Sequence, residues 1–450
     1  TPKADVSIAY GRLTVHGCDR HDVSLGQTAR NNQVLRTYLW GGPHDGALLL
    51  RLGRFGRLGD LVKRRGAKRP PRWLSGKGFH LNDAQVEELK PTAPLLEMKF
   101  LKASSTPPIP VLDASLLQDF PKEFLLVASY GAHNGKLFTG PKVVVNDGVD
   151  FETFEAKAVY SSLPFSFQSS IGAFAGPDAD EDLLRFLAVY LRSSLARYLL
   201  LMNSYALTVE RQRVSMTELK ELPFVAPELH PSPDNAKRII KNIASRSRQL
   251  EALSSLESFS SYQDKKPEFD SLVAEYFELT AAEVEVIEEA NRLVIPSIQP
   301  SWRTLGLTPL SRAPRQEDLS GYAEIMGQEL RTLSKSLGGT GVVHVEVVSE
   351  SASRRGALAI CRICNDQGQG QVEQSSEKVD AAIDWLRAQA LLPLAAGDSF
   401  NLTSDFLFFW KDEMFLVKPL ITRFWLRGQA RRDALRIVKA ARLHAKAQAK

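Results

Sequence analysis

Cysteine is scarce in this sequence of 450 residues, which contains only Cys18, Cys361 and Cys364. So few cysteines exclude a fold held together by disulfides and are typical of a reducing compartment. Cys361 and Cys364 form one CxxC, in LAICRICND, but no second CxxC or HxxxH pair accompanies it, and a structural zinc site needs four ligands. In preference to a zinc site, we expect a strand in which both cysteines act as small apolar residues.

The motifs of common active sites are also missing. The sequence has no GxxxxGK(S/T) loop, no GxSxG elbow, no HExxH and no GxGxxG turn after a strand. Its eight histidines are scattered singly, and His80 and His133 are placed in loops, where each is either a ligand contact or an ordinary surface residue. From the residues alone we predict no catalytic residue, no metal ligand and no cofactor in this chain.

One segment, SDFLFFWKDEMFLVKP, contains residue types that a nuclease uses. Asp405, Glu413 and Lys418 resemble the carboxylates and the lysine that a metal-dependent nuclease carries at the end of a hairpin. A polar KDE turn between apolar strands, kept for solubility, explains the same residues. A nuclease is therefore retained only as an alternative function.

Long apolar runs free of charge are absent as well. The stretch LLRFLAVYLRSSLARYLLLMNSY (183–205) has nearly the length of a membrane span, but Arg185, Arg192 and Arg197 would each cost about 2.5–3.5 kcal/mol in a bilayer. Its leucines share one helical face, which predicts a helix docked on a core, with the arginines facing solvent, a neighbouring domain or phosphate. We expect Leu191→Asp to unfold the domain and Arg192→Ala to leave folding intact. The N-terminal sequence TPKADVSIAYGR has no apolar signal-peptide core, so a cytoplasmic protein without a membrane partner is predicted.

Positive charge is modest on average but concentrated in two blocks. The net charge is +5, yet residues 51–72 contain nine Lys or Arg against Asp60, and residues 423–450 contain nine against Asp433. Each block is a candidate phosphate-binding surface, because neutralised phosphates release counterions and supply most of the non-specific affinity for DNA. Nucleic acid is favoured for 51–72, which Gly and Pro interrupt. For 423–450 a solvated helix face or a frayed tail explains the charge equally well.

The order of patterns along the chain predicts a mixed α/β (α+β) fold. Strand and loop signals run to about residue 170, the arginine-containing helix follows, and 233–293 has a helical pattern. A Pro-rich connector, 295–315, then precedes a small α/β unit whose last element is a basic helix.

Four pieces of the sequence, taken in order, resemble one protein family. They are VLRTYLWGGPHDGALLLRLGRFGRLGDLVKRRG, then SGKGFH, then GPKVVVNDG with AVYSSLPFSFQSSIGAFAGP, and then LLRFLAVYLRSSLARYLLLMNSYALTVERQRVSMTELKELPF. They cover about 35–230 and are similar to the part of adenine-N6 DNA methyltransferases that follows the catalytic domain. In type IIG restriction-modification enzymes and phage-defence methyltransferases, that part holds the target recognition domain. The family's (D/N)PP(Y/F/W) loop, which binds the flipped adenine, and its Gly-rich S-adenosylmethionine turn do not occur here.

The resemblance implies a division of the chain and a set of partners. Residues 1–75 would be the trailing edge of the methyltransferase domain with a basic linker, and 76–230 a β-rich target recognition domain packed with helices. Residues 231–300 would be a helical spacer and 301–450 a small C-terminal α/β domain. Because the sequence begins with Thr1 rather than Met, we expect the catalytic domain and its S-adenosylmethionine to precede it. The implied partners are double-stranded DNA, that upstream domain and other subunits of a defence system.

Candidate DNA contacts follow from the resemblance and the residue types together. Base flipping requires the duplex to be held between two domains, with the major groove read by loops of the second domain. We expect phosphates to be bound by Arg54, Lys63, Arg64, Arg65, Lys68 and Arg69. We expect base-reading residues among His133, Asn134, Lys136, Gln168, Arg211 and Arg213.

The predicted function is sequence-specific recognition of double-stranded DNA within a site-specific adenine-N6 methyltransferase of a restriction-modification or phage-defence system. One alternative is a protein-interaction scaffold of a defence complex, whose helices at 233–293 and C-terminal unit dock partner subunits. The other alternative is the nuclease.

Overall fold

The computed structural model describes residues 6–7, 12–13, 26, 33–63, 70–81, 95, 97–121, 127–129, 135–150, 153–204, 213–298, 308–349, 358–364, 371–373, 376–388, 406–411 and 413–448. These residues form both helices and largely antiparallel sheets, which confirms the mixed α+β class. The chain divides into two compact units. We call Asp45–Asn291 the central unit, and Thr1–His44 with Arg292–Lys450 the terminal unit.

The described helices and strands are numbered in chain order. The α-helices are α1 Gln33–Trp40, α2 Pro43–Leu52, α3 Gly59–Val62, α4 Glu181–Arg192, α5 Ser194–Asn203, α6 Met216–Lys220, α7 Pro233–Glu251, α8 Ser255–Tyr276, α9 Ala281–Glu289, α10 Ile295–Ile298, α11 Gln316–Ser336, α12 Glu377–Ala388 and α13 Arg427–Gln448. The strands are β1 Val6–Ser7, β2 Arg12–Leu13, β3 Leu74–Lys77, β4 His80–Leu81, β5 Lys99–Leu101, β6 Val127–Ser129, β7 Lys142–Val149, β8 Ala156–Ser161, β9 Phe165–Phe167, β10 Ile171–Ala175, β11 His344–Val348, β12 Leu358–Cys364, β13 Gln371–Glu373, β14 Phe406–Trp410 and β15 Glu413–Pro419. No helix among the described residues is long and apolar enough to cross a bilayer.

The central unit is built on a four-stranded antiparallel sheet with the order β3-β10-β7-β8. Two short pairs flank it: β4 with β6, antiparallel, and β5 with β9, parallel. Strands β7 and β10 are almost wholly buried, which suits the β-branched valines that open β7. Phenylalanines dominate the core beneath the sheet: Phe79, Phe100, Phe120, Phe138, Phe165 and Phe167.

The apolar stretch at 183–205 forms two helices rather than one. Helix α4 ends at Arg192, and Ser193 starts α5 by accepting a hydrogen bond from the Ala196 N–H, as an N-cap does. Leu191 is fully buried, as the leucine face predicts. Helix α4 packs against both β8 and α7, so it has almost no face open to water.

The expectation that the arginines of this stretch face outward is wrong for Arg185 and Arg192, which are both buried. Arg185 Nη2 donates to Glu251 at 2.6 Å, and its guanidinium lies 4.1 Å from the Tyr160 ring centroid. Arg192 lies 2.9 Å from Glu155. Burial of these charges is tolerated because acids from the sheet and from α7 pair with them.

Arg192→Ala should therefore destabilise the central unit, contrary to the expectation from sequence. It leaves the buried Glu155 carboxylate with Lys266 as its remaining ion-pair partner, and breaking a buried pair costs about 3 kcal/mol or more. The matched control is Arg238→Ala, because Arg238 and its partner Glu275 are both exposed, and such a pair contributes about 0–1 kcal/mol. The measurement is urea unfolding of both variants, and equal losses of stability would contradict the prediction.

Lys142, the first residue of β7, is fully buried against backbone carbonyl groups. Its ammonium donates to the carbonyl oxygens of Phe138 (3.2 Å), Gly140 (3.2 Å) and Leu163 (2.5 Å), and lies 4.2 Å from the Phe165 ring centroid. These partners satisfy its donors but carry no negative charge. Burial therefore lowers the pKa of Lys142 to about 7.

This lysine should make folding stability depend on alkaline pH. Its pKa is about 7 when folded and near 10.5 when unfolded, so between these values the unfolded chain binds the extra proton. The free energy of unfolding of the wild type should thus rise with pH over that window, relative to Lys142→Met. Urea unfolding of both proteins at pH 7 and pH 9 tests this, and a difference that does not change with pH would refute it.

The terminal unit contains a five-stranded sheet with the order β13-β11-β12-β15-β14. Helices α11 and α13 cover one face of this sheet and α12 covers the other. Cys361 and Cys364 are buried in β12 as thiols, as expected of small apolar residues. Because side chains alternate along a strand, their spacing of three points them to opposite faces. They do not form half of a zinc site.

The same alternation corrects the nuclease hypothesis. Glu413 and Lys418 lie five residues apart on β15 and so project from opposite faces. Glu413 accepts two hydrogen bonds of 2.6 Å from Arg362, whereas Lys418 is fully buried and pairs with Asp433. Asp405 lies outside the described residues. The pairing of Glu413 with Lys418 in one active site was therefore a wrong expectation.

Candidate nucleic-acid interface

The described basic residues of the segment 51–72 all pair with acids. Arg51 makes a bidentate pair with Glu283 at 2.6 Å, and Arg57 pairs with Glu221. Arg72 pairs with both Asp180 and Glu228. These acids lie more than 100 positions away in sequence, so the local charge count overstates the charge that the segment presents.

Two of the predicted phosphate-binding residues are described, and both lie at the surface. Arg54 pairs with Glu278 at 2.5 Å, and Lys63 lies 3.7 Å from Asp60. Exposed pairs of this kind contribute about 0–1 kcal/mol, so a phosphate could take the place of either acid. Phosphate binding by Arg54 and Lys63 stays a prediction. Arg64, Arg65, Lys68 and Arg69 lie outside the described residues.

Three of the predicted base-reading residues are described: Lys136, Gln168 and Arg213. Lys136 is exposed at the start of a 3-10 turn, directly after Gly135, whose φ of 79° favours glycine. That turn places Phe138 edge-on to Phe167, 5.0 Å away, at the end of β9. His133, Asn134 and Arg211 lie outside the described residues.

A β-bulge in β7 brings Arg213 to the sheet. Val145 is opposite Ala158 and Val149 is opposite Ala156, so three residues of β7 face one residue of β8. The chain at Arg213 fills the gap: it bridges to Gly148, and the next N–H, of Val214, donates to the Asp147 carbonyl at 2.8 Å. Bulges commonly redirect side chains in this way beside functional sites.

Lys77, Asp147 and Arg213 meet at this bulge, and we call them the Asp147 cluster. Asp147 Oδ2 accepts from Lys77 Nζ at 2.7 Å and from both Nε (3.1 Å) and Nη2 of Arg213. The Asp147 side chain is only 10% exposed, whereas that of Arg213 is 49% exposed. Two cations therefore contact one nearly buried carboxylate, and Arg213 is the most accessible member of the cluster.

The turn between β9 and β10 joins Gln168 to this cluster. The Asp147 N–H donates to the Ser170 carbonyl at 2.9 Å, two residues after half-buried Gln168. Gln168 itself bridges to Phe79, two residues after Lys77. Gln168 and Arg213 are thus brought to the same end of the sheet, while Lys136 lies on the 3-10 turn whose Phe138 ring packs against Phe167.

Two glycines allow these close approaches. A Cβ on Gly172 would lie 2.2 Å from Met216 Sδ, so the missing side chain gives Met216 its place on the sheet, three residues after Arg213. A Cβ on Gly78 would lie 2.0 Å from the Phe167 carbonyl oxygen. Gly78 thus lets the chain that carries Lys77 cross close to the end of β9.

Gly78→Ala should destabilise the central unit by about 1–3 kcal/mol, because the added methyl collides with backbone that has no rotamer to change. Gly148→Ala is the matched control, since a Cβ on Gly148 meets nothing within 4 Å. Thermal unfolding of the two variants measures the difference. If Gly78→Ala were as stable as Gly148→Ala, the close approach of this chain to Phe167 would not require a glycine at position 78, and the prediction would be wrong.

Sequence reasoning missed Lys77 and Asp147. Lys77 lies in the SGKGFH piece, but neither it nor Asp147 was singled out among the DNA contacts. A signal for Asp147 was present: the Asn-Asp-Gly at 146–148 interrupts a run of valines, and polar residues with glycine inside a strand indicate a bulge. The sequence alone gives no role for the Asp147 side chain. The fold gives it one by placing Arg213 beside it.

The cluster offers hydrogen-bond donors and positive charge but no reacting group. Among the described residues, no three His, Cys, Asp or Glu side chains are arranged to hold a metal. No protein-family model matches this chain, and no curated protein matches it either. Inferences about function therefore rest on the geometry and on the resemblance of the quoted motifs.

Proposed function

We propose that this chain recognises double-stranded DNA by sequence, as the target recognition part of a site-specific adenine-N6 DNA methyltransferase of a restriction-modification or phage-defence system. The observation that carries the proposal is the Asp147 cluster, which presents a half-exposed arginine at the sheet end that also holds the turn with Gln168. Arginine and glutamine are the side chains that read guanine and adenine edges through paired hydrogen bonds. A rigid sheet end, rather than a free loop, is well suited to hold such readers.

The methyl transfer itself is assigned to a domain outside this sequence. S-adenosylmethionine binding in the family needs a Gly-rich turn, which this sequence lacks, and two glycines at this sheet end are closely covered by neighbouring atoms. Gly78 is closed by the Phe167 carbonyl and Gly172 by Met216. No step of the reaction is therefore attributed to this chain, whose part is to position the duplex in a cytoplasmic enzyme.

Duplex binding should be strongly salt-dependent. Each neutralised phosphate contributes a slope of about −0.9 in the plot of log affinity against log salt concentration. Two such contacts already weaken binding about tenfold between 50 and 200 mM salt. A gel-shift titration of the chain with a pool of random duplexes at both concentrations measures this, and the absence of any binding at 50 mM would reject the proposal.

A protein-interaction scaffold is the second candidate, because apolar side chains are exposed at the turn between α7 and α8. Leu253 is 41% exposed, Leu256 80% and Phe259 40%. An exposed apolar cluster of this kind is typical of surfaces that bind protein. Under this alternative the chain would bind partner subunits through the helical turn and would show no affinity for random duplexes at low salt.

A further inference from the structure

Arg213 uses only part of its hydrogen-bonding capacity in its contacts with the described residues. A guanidinium has five N–H donors in a planar fork. Nε and one hydrogen of Nη2 are directed at Asp147 Oδ2. This pairing leaves Nη1 and the second Nη2 hydrogen, which form the far edge of the fork, and the side chain is half-exposed.

The orientation of that fork is set by the residues around it. Asp147 is held by Lys77 on its carboxylate and by Ser170 on its N–H. The backbone after Arg213 is fixed as well, because Ser215 and Glu218 form a capping box at the start of α6. An arginine whose plane is fixed in advance loses little entropy when it binds, so its hydrogen bonds gain affinity and selectivity.

The far edge of the fork matches one base edge in particular. In the major groove, guanine presents two neighbouring acceptors, N7 and O6, to two parallel N–H donors. Adenine places an amino donor beside its N7, so one arm of the fork would meet a like group. A phosphate would accept from the same donors, but it would also face the negative charge of Asp147, which lies against Arg213.

We propose that Arg213 reads a guanine in the major groove of the target and that Asp147, itself held by Lys77, is the residue that positions Arg213 for this contact. The inference rests on the proposed function and adds the base that this site selects. It also gives Asp147 a role that a phosphate-binding surface would not need, because an acid weakens phosphate binding.

The test is selection of bound sequences from a random duplex pool, followed by affinity measurements on the best duplex and on versions with each other base at its guanine positions. Wild type should prefer guanine by about 5- to 150-fold at one position. Arg213→Ala should abolish preference at that position only. Arg213→Lys should keep affinity for random DNA but weaken the preference, because an ammonium can reach guanine but lacks the planar fork that Asp147 orients.

Asp147→Asn separates positioning from simple charge. Removing a negative charge beside DNA should leave affinity for random duplexes unchanged or higher, while the guanine preference falls at least several-fold. If the surface bound only phosphate, Asp147→Asn would raise the affinity for random duplexes. Wild type would then show no base preference that the substitution could reduce. Urea unfolding of every variant, beside the Arg238→Ala control, identifies any that fail to fold.

The outcomes distinguish the two proposals. If wild type binds no duplex at low salt, the proposed function fails and the guanine contact fails with it. If wild type binds and Arg213→Ala weakens all duplexes equally, Arg213 contacts phosphate, and the guanine inference alone is overturned. If folded Asp147→Asn keeps the full preference, the positioning role of Asp147 is wrong.

Discussion

The ion pair between Arg192 and Glu155 is the constraint on which the central unit depends. Helix α4 is enclosed by β8 and α7, so its arginines are stable only where acids meet them. Glu155 comes from the turn before β8 and also pairs with Lys266 of α8, which ties the sheet to two helices. Phe154, just before it, has a φ of 58°, a conformation that is costly for an aromatic residue. The pair and the core contacts of Phe154 together offset that strain.

Compensation between distant charges also explains why a basic run is a poor guide to a binding surface. Arg51 and Arg72 are used to hold helices and turns of the central unit in place, through pairs that are largely buried. Charge matters for DNA only where a cation is accessible and its internal partner is weak or insufficient. Arg213 is accessible in this sense, because its side chain is half-exposed although it pairs with Asp147, a carboxylate that Lys77 also contacts.

Much of the framework could be predicted from sequence, because periodicity reports burial. The leucines of 183–205 predicted a docked helix, and the mixed class followed from the order of patterns. Periodicity could not predict that Arg185 and Arg192 would be buried, because their acids, Glu251 and Glu155, come from other elements. The separation of Glu413 from Lys418 was, by contrast, open to prediction, since a spacing of five on a strand always gives opposite faces. Two residues at the candidate site, Gln168 and Arg213, are among those that the sequence suggested as base-reading, and that role stays a prediction. Lys77 and Asp147 required knowledge of the bulge, which only the register of β7 reveals.

The placement of Asp147 shows how the frame and the candidate site depend on each other. At one end of β7, Lys142 is buried against carbonyl groups. At the other end, the bulge at 146–148 interrupts the pairing of β7 with β8, and Gly148 pairs with Arg213 instead. The Asn146 side chain fixes the bulge by donating to the Ala103 carbonyl at 2.8 Å. A carboxylate near DNA repels phosphate and lowers affinity in general. Its presence here is consistent with a site in which the orientation of one arginine matters more than total positive charge, which is the requirement for reading a base rather than gripping a backbone.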